Sequence, residues 1–168
     1  MIALDDLNAM PVQDFTAHLA DIFEHSPWVA ERAGASRPFA DVDALHAAMC
    51  AVMRAATQAE QLALIRAHPQ LAGKAALRGE LTEASTTEQS GAGLDRCSPE
   101  EFARITELND AYQQRFGFPF ILAVRGYGRA GIIANMAQRL SRPPDVEFDE
   151  ALRQIERIAA LRLADRVS

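Results

Sequence analysis

One histidine in this chain stands where it could move protons. His68 opens the run His68-Pro69-Gln70-Leu71-Ala72-Gly73, and Ser85-Thr86-Thr87-Glu88-Gln89 follows a short distance on. Pro69 disfavours helical dihedrals at His68, so the helix read over 57–67 must stop there and leave the imidazole at the mouth of a loop. The negative end of a helix macrodipole favours the protonated ring, and a carboxylate such as Glu88 nearby adds to that bias. A group of this kind exchanges protons near neutral pH, although helix capping alone would also account for a histidine at this point. Glu88 likewise has two readings. Ser85 and Glu88 have the spacing of a capping box, and the same helix start would present N–H donors to an anion with Ser85 and Gln89 as hydrogen-bonding neighbours. A Glu88 aimed at a substrate is not closing that box.

The remaining candidates are weaker. His18, His25 and His46 show no HExxH or other metal spacing, and Cys50 and Cys97 form neither a disulfide framework nor a ligand pair, so no metal site is expected. Phe118-Pro119-Phe120-Ile121 reads first as core, but a rigid extended segment of this composition can also offer backbone donors and acceptors to a heterocycle while its rings exclude water. Arg162 lies among Ile155, Ile158, Ala159, Leu161 and Leu163, where a guanidinium either snorkels or clamps a carboxylate or ring carbonyl. Trp28, the only tryptophan, is expected in the core.

The elements that must hold these groups are helices. Thr57 and Glu60 form a capping box; Asp41 caps a helix through Leu45, Met49 and Met53; Ser98-Pro99-Glu100-Glu101 opens a long helix to the stop at Gly117. A first helix begins near Pro11 with Phe15, Leu19, Ile22 and Phe23 on one face. Ser26-Pro27 starts a short one that Gly34 ends. Two more are expected around 132–140 and 148–166, separated by Pro143-Pro144, with loops at 73–79 and 126–129. The apolar run 118–124 resembles a buried strand, but one strand makes no sheet. The expectation is therefore an all-α, compact single-domain multi-helix bundle over 1–168 with one extended buried segment at about 118–124.

At 168 residues, with 49% hydrophobic and 24% charged, the composition is that of an ordinary globular domain. A formal charge of −6 with Lys74 as the sole lysine argues against nucleic acid, whose phosphates need clustered cations. No apolar run approaches the roughly 18 residues of a membrane span, and Met1-Ile2-Ala3-Leu4-Asp5-Asp6 and Arg166-Val167-Ser168 are not expected to act as a signal peptide or a peroxisomal address. A cytoplasmic protein with a small-molecule partner and no membrane is expected.

The motifs together resemble the 2-oxo-4-hydroxy-4-carboxy-5-ureidoimidazoline (OHCU) decarboxylases, which form (S)-allantoin on the route from urate. The resemblance runs through Phe23-Glu24-His25-Ser26-Pro27-Trp28, the 68–73 run, 85–89 with Ala92-Gly93-Leu94, Asn109, Tyr112, 116–121, and Arg157-Ile158-Ala159-Ala160-Leu161-Arg162-Leu163. The sequence departs from that pattern around 126–135, where a more polar, lysine-containing helix start is usual. The resemblance implies an all-helical fold, no metal or organic cofactor, and a homodimer. It further implies His68 and Glu88 as catalytic residues, with Pro69, Ser85, Gln89, Phe118, Phe120, Ile121 and Arg162 around the substrate. Read from their residues alone, the same groups would also serve a ureide or cyclic amide hydrolase. In a non-catalytic helical interaction module, His68, Glu88 and Arg162 would instead be spread over the surface.

Overall fold

A computed structural model describes all of residues 1–168, and it contains ten α-helices and no sheet. The helices are α1 (Leu4–Ala9), α2 (Val12–Leu19), α3 (Pro27–Ala33), α4 (Val42–Ala55), α5 (Gln58–Ala67), α6 (Lys74–Leu77), α7 (Glu83–Gly91), α8 (Pro99–Phe116), α9 (Arg129–Arg139) and α10 (Pro144–Arg166). They group into two units, Met1–Ala67 with Ile155–Ser168, and His68–Gln154. None is long and apolar enough to cross a membrane.

In the first unit α2 packs on α3 and α3 on α4, burying Phe15, Leu19, Val29, Leu45 and Met49. The Asp41 carboxylate accepts the Ala44 N–H at 2.7 Å, and Thr57 and Glu60 close the expected capping box. The chain ends meet: Ile2 and Val167 form a parallel bridge, with Ile2 N–H on the Arg166 carbonyl at 2.8 Å. Three expectations shift here. The first amphipathic helix stops at Leu19, so Ile22 and Phe23 are buried from the turn that follows it. Ser26 does not cap α3; its hydroxyl donates to the Glu24 carbonyl instead. Trp28 is only half-buried, with the Arg32 guanidinium 4.6 Å above its ring while Arg32 also reaches across to Glu60.

In the second unit α8 packs on α9, and α8 carries a complete Ser98/Glu101 capping box and stops at Gly117. That glycine sits at φ 76°, a left-handed conformation that lets the chain leave the helix sharply. The departing segment 118–124 carries neither helix nor strand and is buried apart from the half-buried Ala123. Arg129 joins the start of α9 to Glu101 and the Gly93 carbonyl. Part of the expected 73–79 loop is the short α6, and α10 starts at Pro144, because proline suits a first helical position.

Candidate active site

The site begins where α5 ends. His68 follows the last residue of α5, is 7% exposed, and is held in the second unit with the loop it opens. That loop is short of secondary structure, so its backbone groups need side-chain partners. Two carboxamides supply them. Gln89 of α7 accepts the Ala72 N–H at 2.9 Å and donates to the Gln70 carbonyl at 3.3 Å, while Asn109 of α8 donates to the Leu71 carbonyl at 2.9 Å. Ala72 is thereby fixed at φ 48°, which a residue with a Cβ adopts only when its surroundings impose it. Gly73 cannot be replaced without movement, since a Cβ there would lie 2.8 Å from that of Gln70.

Helix α7 begins earlier than the Ser85/Glu88 spacing suggested. Thr82 is its N-cap, accepting the Ser85 N–H at 3.2 Å, so Ser85 and Glu88 lie inside the helix and no capping box joins them. Their spacing is instead that of one helical face: Ser85, Glu88 and Gln89 are one turn apart, and Ser85 and Gln89 are buried while Glu83, Thr86 and Thr87 are exposed. Gln89 anchors that face to the His68 loop. The conflict over Glu88 disappears, because the helix start does not need its carboxylate. A hollow of about 580 Å³ is lined by Gln89 and Ala72 together with Thr86, Leu94, Cys97 and Phe102, and by none of His68, Ser85 or Glu88.

Phe118, Phe120 and Ile121 are buried in the same unit. The Tyr112 ring meets Phe118 and Phe120 edge-on at 6.0 and 5.4 Å. Arg139 donates to the Ile121 carbonyl at 2.7 Å and lies 4.3 Å over the Phe120 ring. Pro69 is half-buried directly after His68. Arg162 belongs to the other unit, 5% exposed, where it pairs with Glu24 at 2.9 Å and donates to the Asp21 carbonyl at 2.9 Å. Glu24 is 1% exposed and precedes His25, another non-glycine residue at positive φ (47°). Arg166 also binds Asp21 and holds its carboxyl below the usual range.

Some partners were invisible to local spacing. Glu24 lies far from Arg162 in sequence, and Asn109 reaches back 38 residues to Leu71. His46 and Cys50 imitate a catalytic dyad, with Nε2 and Sγ 3.2 Å apart. Nε2 is, however, 2.8 Å from the Glu156 carbonyl, an acceptor only, so the proton belongs on that nitrogen and no base faces the thiol. Burial pushes the Cys50 thiol up to about 12, which leaves it protonated and unreactive. No three His, Cys, Asp or Glu side chains assemble as a metal-ligand set.

Comparison with known proteins bears on this arrangement. The family model described as OHCU decarboxylase matches residues 8–164. A 2-oxo-4-hydroxy-4-carboxy-5-ureidoimidazoline decarboxylase of Haloferax volcanii is 42% identical over 99% of this chain and 97% of its own length. The uric acid degradation bifunctional protein PucL of Bacillus subtilis is also 42% identical, over the whole chain but only 33% of that longer protein. Among solved structures, that of an (S)-allantoin synthase superposes with TM-score 0.77 and 32% identity, covering all of this chain and 54% of that one.

Proposed function

The chain belongs to the OHCU decarboxylase family, and on that premise we propose that it decarboxylates 2-oxo-4-hydroxy-4-carboxy-5-ureidoimidazoline to (S)-allantoin in urate degradation. The observation that carries the chemistry is the buried His68, on a loop tied to the helix face that bears Ser85, Glu88 and Gln89. The interaction module expected as an alternative would spread His68, Glu88 and Arg162 over the surface, whereas His68 and Arg162 are 7% and 5% exposed and Glu88 is half-buried.

The substrate defines what the protein must do. Its tetrahedral ring carbon bears a hydroxyl and a carboxylate and adjoins an imine carbon. When the bond to the carboxylate breaks, carbon dioxide leaves and the electron pair flows into the ring toward the imine nitrogen, so the substrate carries its own electron sink. The nitrogen that receives the pair takes up a proton, the hydroxyl proton is lost to form the ring carbonyl, and the ureido-bearing carbon gains a proton on one face. Overall the anion loses carbon dioxide and takes up one proton. His68 moves the proton between oxygen and carbon, and Glu88 sets the imidazole's charge or holds the ureido group. Such acid–base assistance contributes on the order of 10² to 10⁴ in rate. Ser85 and Gln89 fix the pose; of Gln89's two N–H groups and two lone pairs, the loop uses one each. Phe118, Phe120 and Ile121 wall the ring from water; Arg162, in the first unit and oriented by Glu24, is the cation that the family resemblance assigns to carboxylate or carbonyl oxygens. A homodimer acting in the cytoplasm completes the reading.

The test is product analysis with substrate generated in situ from urate. Faster release of carbon dioxide with allantoin as product supports the decarboxylase. Ring opening without carbon dioxide would assign a ureide hydrolase instead.

A further inference from the structure

Three helices of the second unit each send one polar side chain into its interior, and the three meet behind the aromatic wall. Glu147, in the first turn of α10, is fully buried. Its Oε2 accepts the Tyr112 hydroxyl of α8 at 2.5 Å and Nε of Arg139 of α9 at 3.0 Å; Arg139 Nη2 is 2.9 Å from the same oxygen. Arg142 adds a longer contact of 3.7 Å from the rim. The far side of the cluster faces the 118–121 segment. Arg139 Nη1 binds the Ile121 carbonyl and its guanidinium covers Phe120, while the Tyr112 ring takes both Phe118 and Phe120 on edge.

A buried ion pair is poor evidence of stability, because desolvation offsets most of its Coulomb energy and apolar side chains of the same volume often do as well. What it does provide is fixed geometry. A segment outside any helix or sheet has no ladder to set its position, and here a directional bond to one carbonyl and three ring contacts replace the ladder. Each member of the cluster is held by another, so the wall cannot shift without breaking a buried charged hydrogen bond. We propose that the Arg139–Glu147–Tyr112 cluster positions the 118–121 wall against the substrate, making Arg139 and Tyr112 positioning residues for the reaction. This rests on the reading above that Phe118, Phe120 and Ile121 touch the substrate.

The experiment uses the full chain with substrate generated in situ, comparing the native protein with Arg139→Lys and Tyr112→Phe. Lysine keeps the charge for Glu147 but lacks the fork that also reaches Ile121; phenylalanine keeps the ring and deletes one oxygen. Thermal melts establish that each variant folds, and if Arg139→Lys does not, Tyr112→Phe carries the comparison. The expected result is a loss of roughly 10- to 100-fold in kcat/KM, the scale for a misplaced reaction geometry. It should appear as a raised KM together with a lower enantiomeric excess of allantoin per folded enzyme. Lower melting temperature with unchanged KM and enantiomeric excess would make the cluster structural only and overturn the proposal. A native chain without turnover would overturn the decarboxylase reading, and this inference with it.

Discussion

His68 differs from the other three histidines by burial and by the company its loop keeps. His18 and His25 are exposed, and His46 is tied to the Glu156 carbonyl. Gln89 is the side chain whose loss should be felt most broadly. Gln89→Ala leaves the Ala72 N–H and the part-buried Gln70 carbonyl without their partner, so unfolding in urea should show a loss of about 1–3 kcal/mol for the stranded buried N–H and less for the carbonyl. Turnover should fall with it, because the left-handed φ of Ala72 is then held only through the Asn109 bond to the neighbouring Leu71 carbonyl. Cys50→Ala is the contrasting case. If His46 and Cys50 are merely neighbours, that variant keeps native turnover, and a loss of more than a few-fold would restore the dyad. Glu24→Ala should destabilise by about 3–5 kcal/mol, since it leaves the Arg162 guanidinium buried without its carboxylate.

At the scale of the element, signals confined to one turn were legible. Asp41, Thr57 with Glu60, Ser98 with Glu101, Pro69 and Gly117 all act within four residues of where they sit, and each starts or ends a helix as its chemistry requires. Gly117→Ala tests this directly: at φ 76° a Cβ should cost about 1–2 kcal/mol in a thermal or urea melt. The Ser85/Glu88 spacing is ambiguous, because serine and glutamate three apart suit both a capping box and one face of a helix. Thr82, three residues before Ser85, decided the matter. Short elements such as α6 carry too few residues to show a period. The site's candidate residues were legible through motifs, but the groups that hold them were not. Tyr112 and Glu147 are 35 residues apart and Asn109 and Leu71 are 38 apart, and no local spacing announces such a pairing.

For the whole molecule, charge couples stability to pH through a few surface pairs. The Arg32 side chain, and then the Thr57 N–H, hold the Glu60 carboxyl down from 4.5 to about 2. A depressed carboxyl stabilises the folded chain fully above its unfolded value and loses that contribution as pH falls through the folded one. Native protein and Glu60→Gln should therefore differ in urea midpoint above about pH 5 and converge as pH approaches 2. Whether helices alone direct a proton to one face of a decarboxylated ring through His68 is read from the optical activity of the allantoin formed. With substrate generated from urate, the native chain should give a persistent excess of the (S) enantiomer. Folded His68→Asn should give racemic product at the spontaneous rate. Racemic allantoin from the native chain, or an undiminished (S) excess from His68→Asn, would contradict the account.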